Sequence, residues 1–240
     1  MPARSGAGTT APSGAGMDIG IIGSGHIGGT LTRRLSALGH RVTVANSRGP
    51  DSLAALTAET GATAGTVQQA ARARDLVVVT IPQKAIPSLP RDLFAATPAS
   101  TVVVDTGNYY PELRDGRIAE LDAGLNDSEW VARHLGRPVL KAFNNVVART
   151  LARGGLPAGA PGRIALSVAG DDVAAKQRVL QLFDALGFDG VDAGSLADSW
   201  RQQVGTPPTA TTSTPPRCGP RSRPPSATRS PTTAARARRW

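Results

Sequence analysis

Short apolar runs alternate with segments whose apolar residues recur at helical spacing over most of the chain. Ile19–Ile22 reads as a buried strand. Over His26–Leu38 the apolar positions 27, 31, 35 and 38 fall on one helical face, and Gly39 is placed to end it. Val42–Ala45 is a second strand. Asp51–Thr60 reads as a helix with Asp51 available as its cap, and Thr66–Ala73 as another. Leu76–Ile81 is rich in β-branched residues, which favours a fully buried strand, and Pro82 stops it. Thr101–Val104 repeats that pattern and ends at Asp105. Val139–Ala142 and Ile164–Val168 read as strands, Val173–Leu186 as a helix closed by Gly187, and Phe188–Val191 as a last strand.

Strands separated by helical segments imply βαβ units, hence an α/β fold: a Rossmann-type, doubly wound, mostly parallel sheet with helices on both faces. The pattern is confined to residues 17–204, which form the expected domain. Residues 1–16 are small residues, Pro and Gly that bury too little apolar surface to offset the entropy of ordering. They read as a disordered leader or a misassigned start, with Met17 as the first residue. Residues 205–240 form an Arg/Pro/Thr-rich tail with no acid and no apolar periodicity, and read as disordered.

Charge changes meaning once it is placed along the chain. The 240 residues carry 27 Lys and Arg against 18 Asp and Glu, a net +9 that resembles a nucleic-acid footprint. Yet residues 17–204 hold 19 basic and 18 acidic residues, and the excess belongs to the two ends. The domain is near neutral and the tail is poor in the aromatics that stack on bases, so no nucleic-acid partner is expected. Cys218 is the single cysteine and the three His residues are far apart, which excludes an intramolecular disulfide and argues against a metal site. No run approaches the roughly 20 apolar residues of a membrane span, and residues 1–16 lack the apolar core of a signal peptide. A cytoplasmic protein with no membrane partner is the expectation.

The chemistry is carried first by Gly23-Ser24-Gly25-His26-Ile27-Gly28, a G-x-G-x-x-G pattern set directly after a strand and opening a helix. Gly23 allows the tight turn, Gly25 lets a pyrophosphate approach the backbone, and Gly28 lets helix and strand pack closely; the helix start then receives the anion. The bland alternative is a glycine-rich turn with no ligand. At the end of the second strand, where an NAD site would place a carboxylate on the ribose hydroxyls, the chain has Asn46-Ser47-Arg48. A carboxylate would repel a 2′-phosphate, whereas Ser47 can hydrogen-bond it and Arg48 can pair with it, so NADP(H) is expected over NAD. Arg48 could equally be a solvated loop charge.

Two further strand ends, Thr80-Ile81-Pro82-Gln83 and Asp105-Thr106-Gly107-Asn108, border the crevice of such a sheet and would line the nicotinamide. Thr80 and Asn108 are also ordinary capping or turn residues. Lys141, in Lys141-Ala142-Phe143-Asn144-Asn145, would stabilise negative charge on an acceptor or be a plain surface lysine. No Ser-His-Asp or Cys-His arrangement and no paired carboxylates are evident, which fits direct hydride transfer carried by the cofactor.

These segments together, IGIIGSGHIGGTLTRRLSALGHRVTVANSRGP, VVVTIP, VVVDTGNYYP, VLKAFNNV, RIALSVAGDD and FDGVDAGSLADSWRQQ, resemble the NADPH-dependent coenzyme F420 oxidoreductases over about residues 17–204. The resemblance implies NADPH contacts at Ser24, Gly25, His26 and Ile27, at Ser47 and Arg48 for the 2′-phosphate, and at Ile81 beside the nicotinamide, with hydride exchanged with F420. The FNNV segment also resembles the cytosolic domain of membrane metalloreductases, which makes a flavin the competing acceptor. Family members continue with folded chain that shapes the acceptor site and the dimer, whereas here the Arg/Pro/Thr tail begins. A tail read out of frame from a GC-rich gene accounts for that composition, and resequencing the coding DNA tests it. An apolar face left uncovered would favour a homodimer. The alternative function is a non-catalytic NADP(H)-binding or sensing module.

Overall fold

A computed structural model describes residues 16–206. The expectations for the leader and for the tail beyond Thr206 lie outside these residues. In chain order the strands are β1 (Asp18–Ile22), β2 (Arg41–Ala45), β3 (Thr63–Ala64), β4 (Leu76–Val79), β5 (Val102–Asp105), β6 (Leu140–Ala142), β7 (Ala165–Ala169) and β8 (Asp189–Asp192). The helices are α1 (His26–Ala37), α2 (Ala54–Thr60), α3 (Val67–Ala71), α4 (Ala119–Asp122), α5 (Asp127–Leu135), α6 (Ala148–Arg153) and α7 (Val173–Ala185). Tighter or wider helical turns cover Pro50–Leu53, Gln83–Ser88, Pro111–Asp115 and Leu196–Gln202.

All eight strands join one sheet in the order β3-β2-β1-β4-β5-β6-β7-β8. The pairs from β3 to β6 are parallel, β6 and β7 are antiparallel, and β7 and β8 are parallel to each other. The first six strands therefore have the doubly wound order of a Rossmann sheet, and its switch point lies between β1 and β4. The carboxyl ends of these two strands open the crevice where such sheets bind ligands.

Alternation along the central strands supplies two cores. Ile19, Ile21, Leu76 and Val78 pack to one face with Leu31 and Leu35 of α1 and Phe183 of α7. Ile22, Val77 and Val79 pack to the other with Ala70 of α3 and Trp130 of α5. Phe143 meets Phe183 edge-on at 5.0 Å between centroids. α3 approaches β1 so closely that a Cβ on Gly20 would sit 1.8 Å from the Ala70 carbonyl oxygen. This short helix is fixed by a capping box in which Thr66 Oγ1 accepts from Gln69 N–H and Gln69 Oε1 accepts from Thr66 N–H.

Three sequence expectations change. Asp51 lies inside the Pro50–Leu53 turn and caps no helix; α2 begins after Leu53 without a side-chain cap. β4 ends at Val79, before Thr80 and Ile81, because pairing with both neighbours stops there, at Ile22↔Val79 and Val79↔Asp105. Pro82 thus follows the strand end by three residues and does not cause it. α4, α5, α6 and the two-residue β3 went unpredicted; α5 carries its apolar face on Trp130, Val131 and Leu135 only.

Candidate cofactor-binding site

The turn between β1 and α1 uses its glycines for different reasons. Gly23 has φ +113°, which a side chain rarely adopts, and its N–H donates to the Ala45 carbonyl at 2.8 Å, tying the turn to β2. A Cβ on Gly28 would lie 1.9 Å from the Gly23 carbonyl oxygen. A Cβ on Gly25 would meet nothing within 4 Å. Two of the three glycines are thus demanded by the chain's own packing. Gly25 faces open space, the place where a pyrophosphate would approach.

Gly25 is also the cap residue of α1; no side chain caps this end and no acid stands in its first turn. The first amides of a helix have no intrahelical acceptor, and the helix dipole adds positive potential there. Ser24 is half-buried, His26 exposed, Ile27 half-buried and Gly28 buried. These residues fit a dinucleotide phosphate: open backbone, free donors and no competing carboxylate.

Asn46, at the end of β2, is a hub. Its Nδ2 donates to Ser24 Oγ and to Ser52 Oγ, both at 2.9 Å, and its Oδ1 accepts from Arg48 N–H at 2.9 Å. It locks the glycine turn to the loop that presents Ser47 and Arg48. Both of these are exposed, and the Arg48 side chain has no hydrogen bond or ion pair to the described residues. Arg48 borders a groove of ≈ 830 Å³ beside the glycine turn. Leu53 and Leu56 also line the groove, as do Arg149 and Arg153 of α6.

Across the switch point, Thr80 donates its N–H to the Ile22 carbonyl at 2.8 Å, and its methyl lies 2.7 Å from the position of a Gly28 Cβ. Ile81 and Pro82 are half-buried at the same strand end, with Ile81 packed on the core that contains Trp130. Asn108 and Asn144 exchange hydrogen bonds: Asn108 Nδ2 donates to the Asn144 carbonyl at 2.9 Å, and Asn144 Nδ2 donates to Asn108 Oδ1 at 3.1 Å. Asn144 Nδ2 also donates to the Gln202 carbonyl at 2.6 Å. Arg114 donates to the Asn108 carbonyl. Asn108 therefore joins the ends of β5 and β6. The structure thus gathers Gly23–Gly28, Asn46–Arg48 and Thr80–Pro82 around the switch point, with Asn108 one strand further along.

Sequence reasoning missed the polar layer behind that edge. Lys141 is fully buried, so the surface-lysine alternative is wrong, and its ammonium does not face solvent. It donates to the Gly107 carbonyl at 3.0 Å and to Ser128 Oγ at 3.3 Å, and lies 3.8 Å from Asp127. Ser128 donates to Asp105 at 2.6 Å, and Asp105 accepts from Gly107 N–H at 2.8 Å. Burial pushes the Asp127 carboxyl above its ordinary pKa, against the pull of Lys141 and the Tyr109 N–H. The signal for this network was a charged residue inside the apolar run VLKAF, since a buried lysine demands partners. Gln83, also fully buried, lies beside Gly107 with both amide atoms unpartnered among the described residues.

Among the described residues no helix is long and apolar enough to cross a membrane, and no group of three or more His, Cys, Asp or Glu could hold a metal. Protein YjhV of Escherichia coli K12 is 54% identical over 71 residues, which are 30% of this chain and 44% of that protein, so the match spans less than half of its length. Among solved structures, the chain is 33% identical to the uncharacterised protein SMa0349 of Sinorhizobium meliloti, covering 80% of this chain and 92% of that one with a TM-score of 0.66. A candidate F420-dependent NADP-reductase of Arthrobacter sp. FB24 is 25% identical, over 78% of this chain and 88% of its own, with a TM-score of 0.61. The family model described as NADP oxidoreductase, coenzyme F420-dependent, matches residues 18–109, which hold the glycine turn, the Asn46-Ser47-Arg48 loop and the Thr80 strand end. With its doubly wound sheet and these matches, the chain belongs to the F420-dependent NADP oxidoreductase family.

Proposed function

We propose that the chain is an NADPH-dependent oxidoreductase that passes hydride between NADPH and coenzyme F420 or a related flavin-type acceptor. The observation that carries this reading is the pairing of an open glycine turn with a β2 end free of carboxylate, where Ser47 and Arg48 stand exposed beside a cationic groove. Gly25 and the first amides of α1 would hold the pyrophosphate, with Ser24 positioned by Asn46. Ser47 and Arg48 would hold the 2′-phosphate, and Thr80, Ile81 and Pro82 would wall the nicotinamide. When bound, NADPH supplies the hydride. The chain's own part is alignment: the Asn108–Asn144 pair holds the ends of β5 and β6, and Lys141 holds the Gly107 carbonyl from beneath.

The test is NADPH oxidation by the full chain with F420 and, separately, with FMN, each repeated with NADH. Turnover with NADPH and F420 is the expected result. Turnover with FMN alone moves the acceptor to the flavin branch. Equal rates with NADH overturn the role of Ser47 and Arg48, and NADPH binding without turnover under any acceptor replaces the enzyme with a sensing module.

A further inference from the structure

The groove beside the glycine turn holds more positive charge than Arg48 alone accounts for. Four arginines line it, Arg33, Arg48, Arg149 and Arg153, and no carboxylate does. Arg33 is neutralised by Glu59 through two contacts of 2.8 Å. The side chains of Arg48, Arg149 and Arg153 have no hydrogen bond or ion pair to the described residues. Other exposed arginines, Arg72, Arg91 and Arg133 among them, also lack such partners, so what sets these three apart is that they line one groove with no acid in it.

Arg149 and Arg153 are four residues apart on α6, so they share a helical face and repel each other. Three exposed guanidinium groups lining one acid-free groove, beside the positive end of α1, make it a place that attracts an anion. The groove also has an apolar element in Leu53, Leu56 and Ala152. An apolar patch with a cationic rim suits a flat base carrying a phosphate on its sugar, the adenosine 2′-phosphate end of NADPH.

We propose that Arg149, on α6, is a second specificity-determining residue for the 2′-phosphate and acts across the groove from Arg48. This rests on the NADPH reading above. A guanidinium from each wall gives the phosphate two planar forks, which a lysine cannot reproduce. It also makes cofactor selectivity depend on α6, which lies about 120 residues beyond the glycine turn in sequence.

The experiment is calorimetric titration of the full chain and its variants with NADPH, NADH, 2′,5′-ADP and 5′-AMP. Native protein should prefer 2′,5′-ADP to 5′-AMP. Arg149→Ala should weaken 2′,5′-ADP about tenfold and leave 5′-AMP within about twofold, with Arg149→Lys recovering only part of the loss. Equal weakening of both fragments overturns the proposal, because Arg149 would then act on the 5′-phosphate they share. A loss of selectivity in Arg48→Ala with no change in Arg149→Ala overturns the proposal but leaves the NADPH reading intact. Native protein that fails to distinguish the two fragments overturns both.

Discussion

Gly25 and Gly28 belong to one motif but answer to different forces, and substitution separates them. Gly25 has φ −70°, which alanine adopts freely, and its Cβ direction is empty. Gly25→Ala should therefore leave the melting temperature within about 2 °C, as surface changes do. It should weaken NADPH binding at least about tenfold, because the methyl occupies the space a pyrophosphate needs. Gly28→Ala drives a Cβ into the Gly23 carbonyl and should cost about 1–3 kcal/mol of stability before any ligand is present. Thermal melts with and without NADPH check both; a destabilised Gly25→Ala or an unperturbed Gly28→Ala would show the division to be wrong. The motif was legible in sequence as three glycines, but this division was not. Nor was the role of Asn46, whose partner Ser24 lies 22 residues away and meets it only when β1 and β2 align, while Ser52 sits 6 residues on in the following loop.

Strands and helices were legible where burial imposes a clean period. β4 is buried throughout and reads as an unbroken apolar run, and α1 shows one apolar face. The reversal of β7 was not legible, because nothing local to Ala165–Ala169 records which neighbour it will pair with or in which direction. The helical turns after β4 and β5 were also unread, since polar contacts hold them. In the Pro111–Asp115 turn, buried Asp115 accepts from Tyr110 N–H at 2.9 Å and from Lys84 N–H at 3.3 Å, and pairs with Arg114 at 2.9 Å. Burial pushes its carboxyl upward, but the Arg114 guanidinium and these amides outweigh it and hold the pKa below the ordinary value. A depressed carboxylate contributes stability that is present above the unfolded pKa and lost as pH falls through the folded one. Asp127, with its raised pKa, runs the other way: its contribution is present below the unfolded value and is lost as pH rises through the folded one. Urea denaturation of native protein and Asp115→Asn should show a gap that is widest near neutral pH and closes on acidification below the usual carboxylate range. A gap independent of pH would mean that the Asp115 carboxyl is not held low.

Near neutrality from Met17 to Val204 conceals a sorting of charge that only the assembled molecule reveals. Acids that could have faced the cofactor edge are sequestered: Asp105 and Asp127 sit beneath it with Lys141, and Glu59 is spent on Arg33. The residues proposed for the cofactor could be named from sequence because they fall in two short stretches, 23–28 and 46–48. The other half draws on Asn108, Asn144 and Gln202, which span 94 positions and come together only through the β5–β6 pairing and the final helical turn. The exposed cations left on one groove should make binding electrostatic at long range, since surface charges act over a Debye length of about 10 Å at 0.1 M salt. NADPH and NADH share the pyrophosphate, so salt should weaken both, but only NADPH carries the 2′-phosphate that Arg48 and Arg149 would meet. Between about 0.05 and 0.5 M salt, NADPH affinity should fall by roughly tenfold and NADH affinity by clearly less, so that selectivity itself declines with ionic strength. Parallel salt slopes for the two cofactors would place the groove's positive charge on the shared pyrophosphate and leave selectivity to short-range contacts at Ser47.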